Sequence, residues 1–176
     1  MDASSMHVRP ATIDDAEAIR AIYNPEVLES TVTFDLVPRS LAEQQAWLDQ
    51  RSGAHLAVVA VDDTGTILGF ASLSPYRDRP AYATTVEDSV YVHRDHQGEG
   101  VGKALLADLL ERARLHGFHA VMARIVGDHD ASIALHRSVG FDIVGTEREV
   151  GRKFGQWLDV VIMQVLLAPL AADVTS

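Results

Sequence analysis

Residues 86–103, VEDSVYVHRDHQGEGVGK, constrain this chain more than any other segment. Apolar residues alternate through 84–92, as they do in a strand whose two faces meet different surroundings. A loop with glycines at 98, 100 and 102 follows, and the apolar periodicity from Ala104 to His116 then reads as a helix. Strand, glycine loop and helix N-terminus in that order build an anion site. The first N–H groups of a helix have no partner within it, and the helix dipole favours negative charge there.

The register of the glycines narrows the ligand. A Walker loop needs glycine at 97 and a hydroxyl at 104, where this chain has Gln97 and Ala104. A dinucleotide fingerprint begun at Gly98 needs glycine at 103, which is Lys103, and no acidic residue about 20 positions on completes it. What remains is Q-x-x-G-x-G, formed by Gln97, Gly100 and Gly102. Taken alone, Gly98 and Gly100 also suit a simple flexible turn before a helix. The pattern resembles the acyl-CoA pyrophosphate loop of the GNAT family of N-acetyltransferases.

Composition sets outer bounds. The chain has 176 residues, 47% of them hydrophobic and 23% charged, which fits one globular domain, with a core over about 8–167 and a frayed tail at 168–176. A net charge of −10 argues against nucleic acid as a partner. There is no cysteine, so thiol nucleophiles, disulfides and cysteine–metal sites are excluded. The histidines show no metal-ligand spacing, and no metal is expected. The segment MDASSMHVRP lacks the apolar stretch of a signal peptide, and residues 160–172 are interrupted by Gln164 and Pro169, so a soluble cytoplasmic protein without membrane partners is expected.

Elements follow from local signals. Val8–Pro10 reads as a strand. Asp14 or Asp15 would cap a helix carrying Ala18, Ile19, Ile22 and Tyr23, and Ser40 would cap a second through Leu48. Asp62–Gly65 separates two strands, 55–61 and 66–74, as a hairpin turn. A polar loop, 75–82, leads into the strand 84–92. The helix 101–116 stops at Gly117, a strand covers 119–126, a short helix runs from Asp130 to Val139, and strands at 141–149 and 156–167 end the series. The order implies an α+β, three-layer domain. Trp47, at helical spacing among apolar neighbours, is expected in the core.

Three further segments carry the resemblance over nearly the whole chain. D-A-S-I-A-L-H-R-S-V-G-F, 130–141, is similar to a later GNAT signature. T-V-E-D-S-V-Y-V and K-F-G-Q-W-L-D-V resemble one branch, the phosphinothricin and methionine-sulfoximine acetyltransferases, or L-amino acid N-acyltransferases. The resemblance implies a GNAT fold: a twisted, mostly antiparallel sheet of about seven strands, splayed where acetyl-CoA binds. It implies cofactor contacts from Val90, Tyr91 and Val92, from Gln97, Gly98, Glu99, Gly100, Val101, Gly102 and Lys103, and from Ser132. His129 stands where the branch usually has asparagine. Glu99 is expected to turn its carboxylate to solvent while its N–H faces the anion.

The implied reaction is direct attack of an amine on a thioester, so a base must take a proton from the ammonium. Glu87 is the first candidate and His136 the second. Arg77, Arg79 and Tyr82 match a substrate loop, with guanidinium forks suited to a carboxylate. Thr31, Thr33 and Phe34 match a second pocket-lining segment, and Lys153 and Trp157 are expected to shape the pocket or a dimer contact. The acceptor implied is a small amino acid or analogue, such as phosphinothricin or methionine sulfoximine or sulfone, and the assembly implied is a homodimer. Acetylation of another amine and a non-catalytic acyl-CoA sensor are the rival readings.

Overall fold

In the computed structural model, residues 5–169 are described. Seven strands form one sheet: β1 (Met6–Pro10), β2 (Ala57–Asp62), β3 (Ile67–Pro75), β4 (Thr85–Val92), β5 (Ala120–Val126), β6 (Asp142–Lys153) and β7 (Gln156–Leu166), in the spatial order β1-β2-β3-β4-β5-β7-β6. All neighbours are antiparallel except β4 and β5. Helices α1 (Ala16–Glu29) and α2 (Leu41–Asp49) cover one face, and α3 (Val101–Leu115) and α4 (Asp130–Ser138) the other.

The side-chain period of a strand explains the three layers. In β2, Val58 and Ala60 join Leu105, Leu106 and Leu109 of α3, whereas Val59 and Val61 join Ile19, Ile22 and Val27 of α1. All four β2 residues are buried, which is why this strand reads as a continuous apolar run. Serine does cap α2: Ser40 Oγ accepts from the Glu43 N–H, and the Glu43 carboxylate accepts from the Ser40 N–H. Gly100 precedes α3 with φ +84°, which a side chain would strain. Gly102 lets α3 approach α4, because a Cβ there would lie 2.8 Å from Leu135 Cδ2.

Several boundaries differ from expectation. β1 starts at Met6 rather than Val8, and β6 continues past 149 to Lys153. A bulge between Glu147 and Gly151, with Glu149 at φ +53°, lets β6 resume its pairing with β7. Asp14 and Asp15 do not begin α1 as simple caps. A 3₁₀ turn, Ile13–Asp15, precedes it, and Asp15 reaches back to the Thr12 N–H at 2.7 Å and to both terminal nitrogens of Arg9. Most of the expected frayed tail, residues 170–176, lies outside the described residues. Among the described residues no helix is long and apolar enough to cross a membrane.

Candidate active site

The parallel pair β4·β5 is joined at only three registers, Thr85↔Ala120, Val86↔Val121 and Glu87↔Met122. Beyond Glu87 the two strands part and open a V. Asp88 to Val92 form one side, Ala123 to Val126 the other, and His129, Ser132 and His136 contribute from the start and length of α4. Glu26, Val32 and Gln97 complete this cleft of about 120 Å³. It continues into a cavity of about 360 Å³ between Val90, Val92, His129, Ser132 and the loop Gln97–Lys103. An extended arm would find β4 backbone groups to pair with, as an added strand does, and an anionic end would meet the N-terminus of α3. The described residues therefore suit an acyl-CoA: narrow at the strands, wide and N–H rich at the glycines.

Most expected cofactor residues meet at this place. Val90, Tyr91, Val92, Gln97, His129 and Ser132 line the cleft, and Gly98, Gly100, Val101, Gly102 and Lys103 line the wider cavity. Glu99 turns away, with its carboxylate 3.0 Å from His96 Nδ1, which removes its charge from the anion path. Burial holds the His129 imidazole below its ordinary pKa despite nearby acids, so near pH 7 it is neutral and has both a donor and an acceptor nitrogen.

Glu87 is the last β4 residue paired with β5, at the vertex of the V, and it is half-buried. Burial raises its pKa, and the repulsion of Asp88 and Glu147 adds to this while Arg124 opposes it. Arg124 is itself shared with Glu147, its ion-pair partner. The register Ser74↔Glu87, Ser72↔Ser89, Phe70↔Tyr91 puts Glu87 on the α1/α2 side of the sheet. Glu87 does not itself line the cleft, so a proton passing from an amine in the V to its carboxylate would travel through water.

His136 and Asp88 lie on the opposite side and are both buried. The His136 Nε2 lies 3.0 Å from Asp88 Oδ2, and its Nδ1 lies 2.7 Å from the Ser132 carbonyl. A carbonyl and a carboxylate both accept, so the two contacts favour a ring that donates from both nitrogens, the protonated form. Burial alone would lower its pKa, but the hydrogen bond and charge of Asp88 outweigh that and raise it. Asp88 is the partner that local spacing did not single out. Its one signal is that two adjacent carboxylates interrupt an otherwise uncharged strand.

The substrate-loop residues sit elsewhere. Arg77, Arg79 and Tyr82 border a shallow, exposed depression of their own, and Arg77 lies 5.0 Å from the Tyr76 ring centre. This loop leaves the end of β3 and so stands on the Glu87 side, where Arg77 adds to Arg124 in holding the Glu147 carboxylate low. Thr33 is buried with its hydroxyl 2.8 Å from Tyr23 Oη, and its carbonyl accepts from Lys153 Nζ at 2.9 Å. Thr31 is half-buried, Phe34 is exposed and packs against Gly151, and Val32 between them faces the cleft. Lys153 thus ties the β6–β7 hairpin to the α1–α2 connection, whereas Trp157 is exposed. Trp47, expected in the core, is only partly buried and packs against the cluster edge-on to Phe70. Among the described residues no group of three or more acidic or histidine side chains is placed to hold a metal.

The acetyltransferase (GNAT) family model matches residues 17–141. The L-methionine sulfoximine/L-methionine sulfone acetyltransferase of Pseudomonas aeruginosa is 43% identical over 94% of this chain and 96% of its own length. The phosphinothricin N-acetyltransferase of Streptomyces coelicolor is 41% identical over 89% of this chain and 94% of its own. A Salmonella typhimurium acetyltransferase solved with its cofactor acetyl-CoA superposes with a TM-score of 0.89 at 37% identity, covering 97% of this chain and 99% of that one. A Sinorhizobium meliloti phosphinothricin acetyltransferase, solved with acetyl-CoA, matches with the same TM-score at 38% identity, over 96% and 92% of the two chains. Splayed strands, glycine loop and helix N-terminus agree with these matches: the chain belongs to the GNAT family and is an N-acetyltransferase that uses acetyl-CoA.

Proposed function

We propose that this enzyme acetylates the α-amine of small amino acids with an oxidised or phosphinic side chain, methionine sulfone, methionine sulfoximine and phosphinothricin among them. The observation that carries the reading is the half-buried Glu87 at the vertex of the β4–β5 cleft. The names of the relatives, methionine sulfoximine/sulfone and phosphinothricin acetyltransferases, supply the acceptor class.

The residues divide the work. Backbone groups of Val90, Tyr91 and Val92 hold the arm of acetyl-CoA, with Gln97, His129 and Ser132 beside it. Gly98 to Lys103 receive its phosphates, largely through N–H groups. When bound, acetyl-CoA supplies the electrophilic thioester carbonyl. An amino acid's ammonium has no lone pair, and Glu87 accepts its proton through water. A carboxylate with a raised pKa is a stronger base than a free one, which brings its affinity for the proton closer to that of the amine. His136, with both ring N–H groups engaged, serves as a fixed positive charge and a brace for α4 rather than as the carrier of the proton. Arg77 and Arg79, with Tyr82, draw the α-carboxylate to the mouth of the site. Thr31 and Phe34 shape the connection above it, and Thr33 holds that connection to the core. The enzyme is assigned to the cytoplasm, where its donor is made and spent, and to a homodimer built on the outer hairpin.

Release of CoA thiol from acetyl-CoA, followed against a panel of amines, tests the reading. Methionine sulfone and phosphinothricin should stimulate release strongly, and their decarboxylated amines weakly. Equal or better turnover with polyamines or aminoglycosides would sink the proposed acceptor class.

A further inference from the structure

On the α1/α2 side of the sheet lies a separate cavity of about 100 Å³. It shares Ser89 and Tyr91 with the rim of the acyl-CoA cleft but extends away from it. Tyr23, Trp47, Phe70 and Tyr91 form its walls, with Phe70 and Tyr91 stacked at 5.3 Å and Trp47 edge-on to Phe70 at 6.0 Å. Its polar groups are donors: the guanidiniums of Arg39 and Arg51, and the hydroxyls of Ser72 and Ser89, which face each other across β3 and β4.

The two arginines are short of negative charge. Arg39 lies over Tyr23 at 4.2 Å and has one carboxylate, Asp35, at 3.6 Å, which is half exposed. Arg51 lies over Trp47 at 3.8 Å, donates to the Trp47 carbonyl and to Ser74 Oγ, and meets no carboxylate among the described residues. Its Nε is buried without a partner, as is the Nε2 of Gln44, the fully buried residue whose Oε1 accepts from Arg39. Burial, with the charge of Arg39, pushes the Arg51 pKa down to about 10. Aromatic faces offset part of the cost of desolvating a guanidinium, but unused donors and an unbalanced charge leave the rest. A strongly polar oxo group placed in the cavity would offset it. The place is apt, because Ser74, which Arg51 touches, is directly opposite Glu87.

We propose that this cavity is the subsite for the acceptor's side-chain end, a tetrahedral oxo group carrying a methyl: oxygens on Arg51, Arg39 and the two serines, methyl against Trp47 and Phe70. It deepens the acceptor reading given above and rests on it. Methionine sulfone, methionine sulfoximine and phosphinothricin all end in a methyl on an oxidised sulfur or a phosphinic phosphorus. A bare carboxylate would use the donors and leave the aromatic walls without a partner. The α-carboxylate is left to the exposed loop of Arg77 and Arg79.

L-Norleucine has the length of L-methionine sulfone with CH₂ in place of SO₂, and the pair isolates the oxygens. The wild-type enzyme should prefer the sulfone in kcat/KM by roughly 10²-fold, since unpaired buried donors penalise the isostere. Arg51→Met should abolish most of that preference, lowering kcat/KM for the sulfone by about 30-fold or more. Norleucine turnover and the KM for acetyl-CoA should stay within about three-fold, and Arg51→Lys should fall between. Should Arg51→Met melt early, Ser89→Ala carries the same comparison with a smaller change expected. A second readout needs no turnover. The chain has two tryptophans, so in Trp157→Phe the emission reports Trp47 alone and should respond to the sulfone more than to norleucine. Equal losses for both amino acids in Arg51→Met, or a Trp47 signal indifferent to the sulfone, would overturn the subsite alone. If the wild type acetylates no amino acid, the acceptor reading falls and takes the subsite with it.

Discussion

At the scale of single residues, the site sets two ionisable groups against each other across β4. Glu87 is a carboxylate whose charge burial disfavours, and His136 is an imidazole whose charge Asp88 secures. Their pH signatures share a sign but differ in window, because the folded state raises both pKa values. His136, with its pKa raised on folding, contributes stability that is fully present below about 6.5 and is lost as pH climbs through the raised folded value. Glu87 also has a raised folded pKa. Relative to the unfolded chain it favours folding only below about 4.3, and that advantage disappears as pH rises and the carboxylate ionises. Glu87→Gln removes a charge that burial disfavours and removes the proposed base. We expect kcat to fall by about 10²-fold or more. The acidic limb of the wild-type rate profile, displaced upward from the usual carboxylate range, should vanish. Tm should rise by roughly 2 °C at pH 7.5, the response of a chain of this size to under 1 kcal/mol, with the gain shrinking toward pH 4. A variant that keeps the wild-type rate and its acidic limb would show that Glu87 is not the base.

Among the elements, the β6–β7 hairpin forms one edge of the sheet and carries several exposed apolar side chains. β6 is an edge strand, and Val144, Val150, Phe154 and Trp157 are all more than half exposed on this hairpin. Lys153 anchors the hairpin inward by donating to the Thr33 carbonyl and, at 3.4 Å, to the Glu26 carbonyl. A long edge strand with apolar side chains is an invitation to pair unless something covers it. We expect the chain to elute as a particle of about twice its 19.2 kDa mass. Val144→Lys combined with Val150→Lys should shift it to the monomer without changing Lys153 or the core. A monomeric wild type by light scattering would refute the dimer. The elements differ in how plainly their residues announce them. The Ser40 cap, the Asp62–Gly65 turn and the stop at Gly117 are local chemistry, and each was readable from a few neighbouring residues. The continuation of β6 was not, because its residues are exposed on an edge and do not alternate, and a bulge carries the strand across Glu149. The site divides the same way. The cofactor half draws most of its lining from one contiguous stretch, residues 90–103, with His129 and Ser132 added from the start of α4. Arg39, Arg51, Ser72 and Ser89 come from four separate segments, so no spacing along the chain betrays that they share a cavity.

For the whole molecule, the three-residue junction between β4 and β5 is the weak seam of an otherwise continuous sheet. On one side stand β1 to β4 and on the other β5, β7 and β6. Below the seam α3 packs on both halves, since Leu105, Leu106 and Leu109 share a cluster with Val58, Leu73, Val121 and Met163. Above it, from Asp88 and Ala123 onward, the strands have no ladder between them. The arm of acetyl-CoA would enter where that ladder is missing, so binding should report on the stability of the entire domain and not only on a loop. A ligand that binds only the folded chain adds about 2.7 kcal/mol at a hundred times its Kd, which in a chain of this size corresponds to a Tm rise of roughly 5–10 °C. Amide exchange should locate the gain: protection should appear at Ser89–Val92 in β4 and Ala123–Val126 in β5, and at the Gly98–Lys103 loop. Free pantetheine should protect the strands but not the loop, because it lacks the phosphates that the helix N-terminus is proposed to receive. Gly100→Val, which forces a branched residue into a left-handed backbone, should weaken acetyl-CoA binding while leaving pantetheine protection of the strands in place. Protection confined to the loop, with the strands unchanged under saturating acetyl-CoA, would mean that the arm does not bridge the seam.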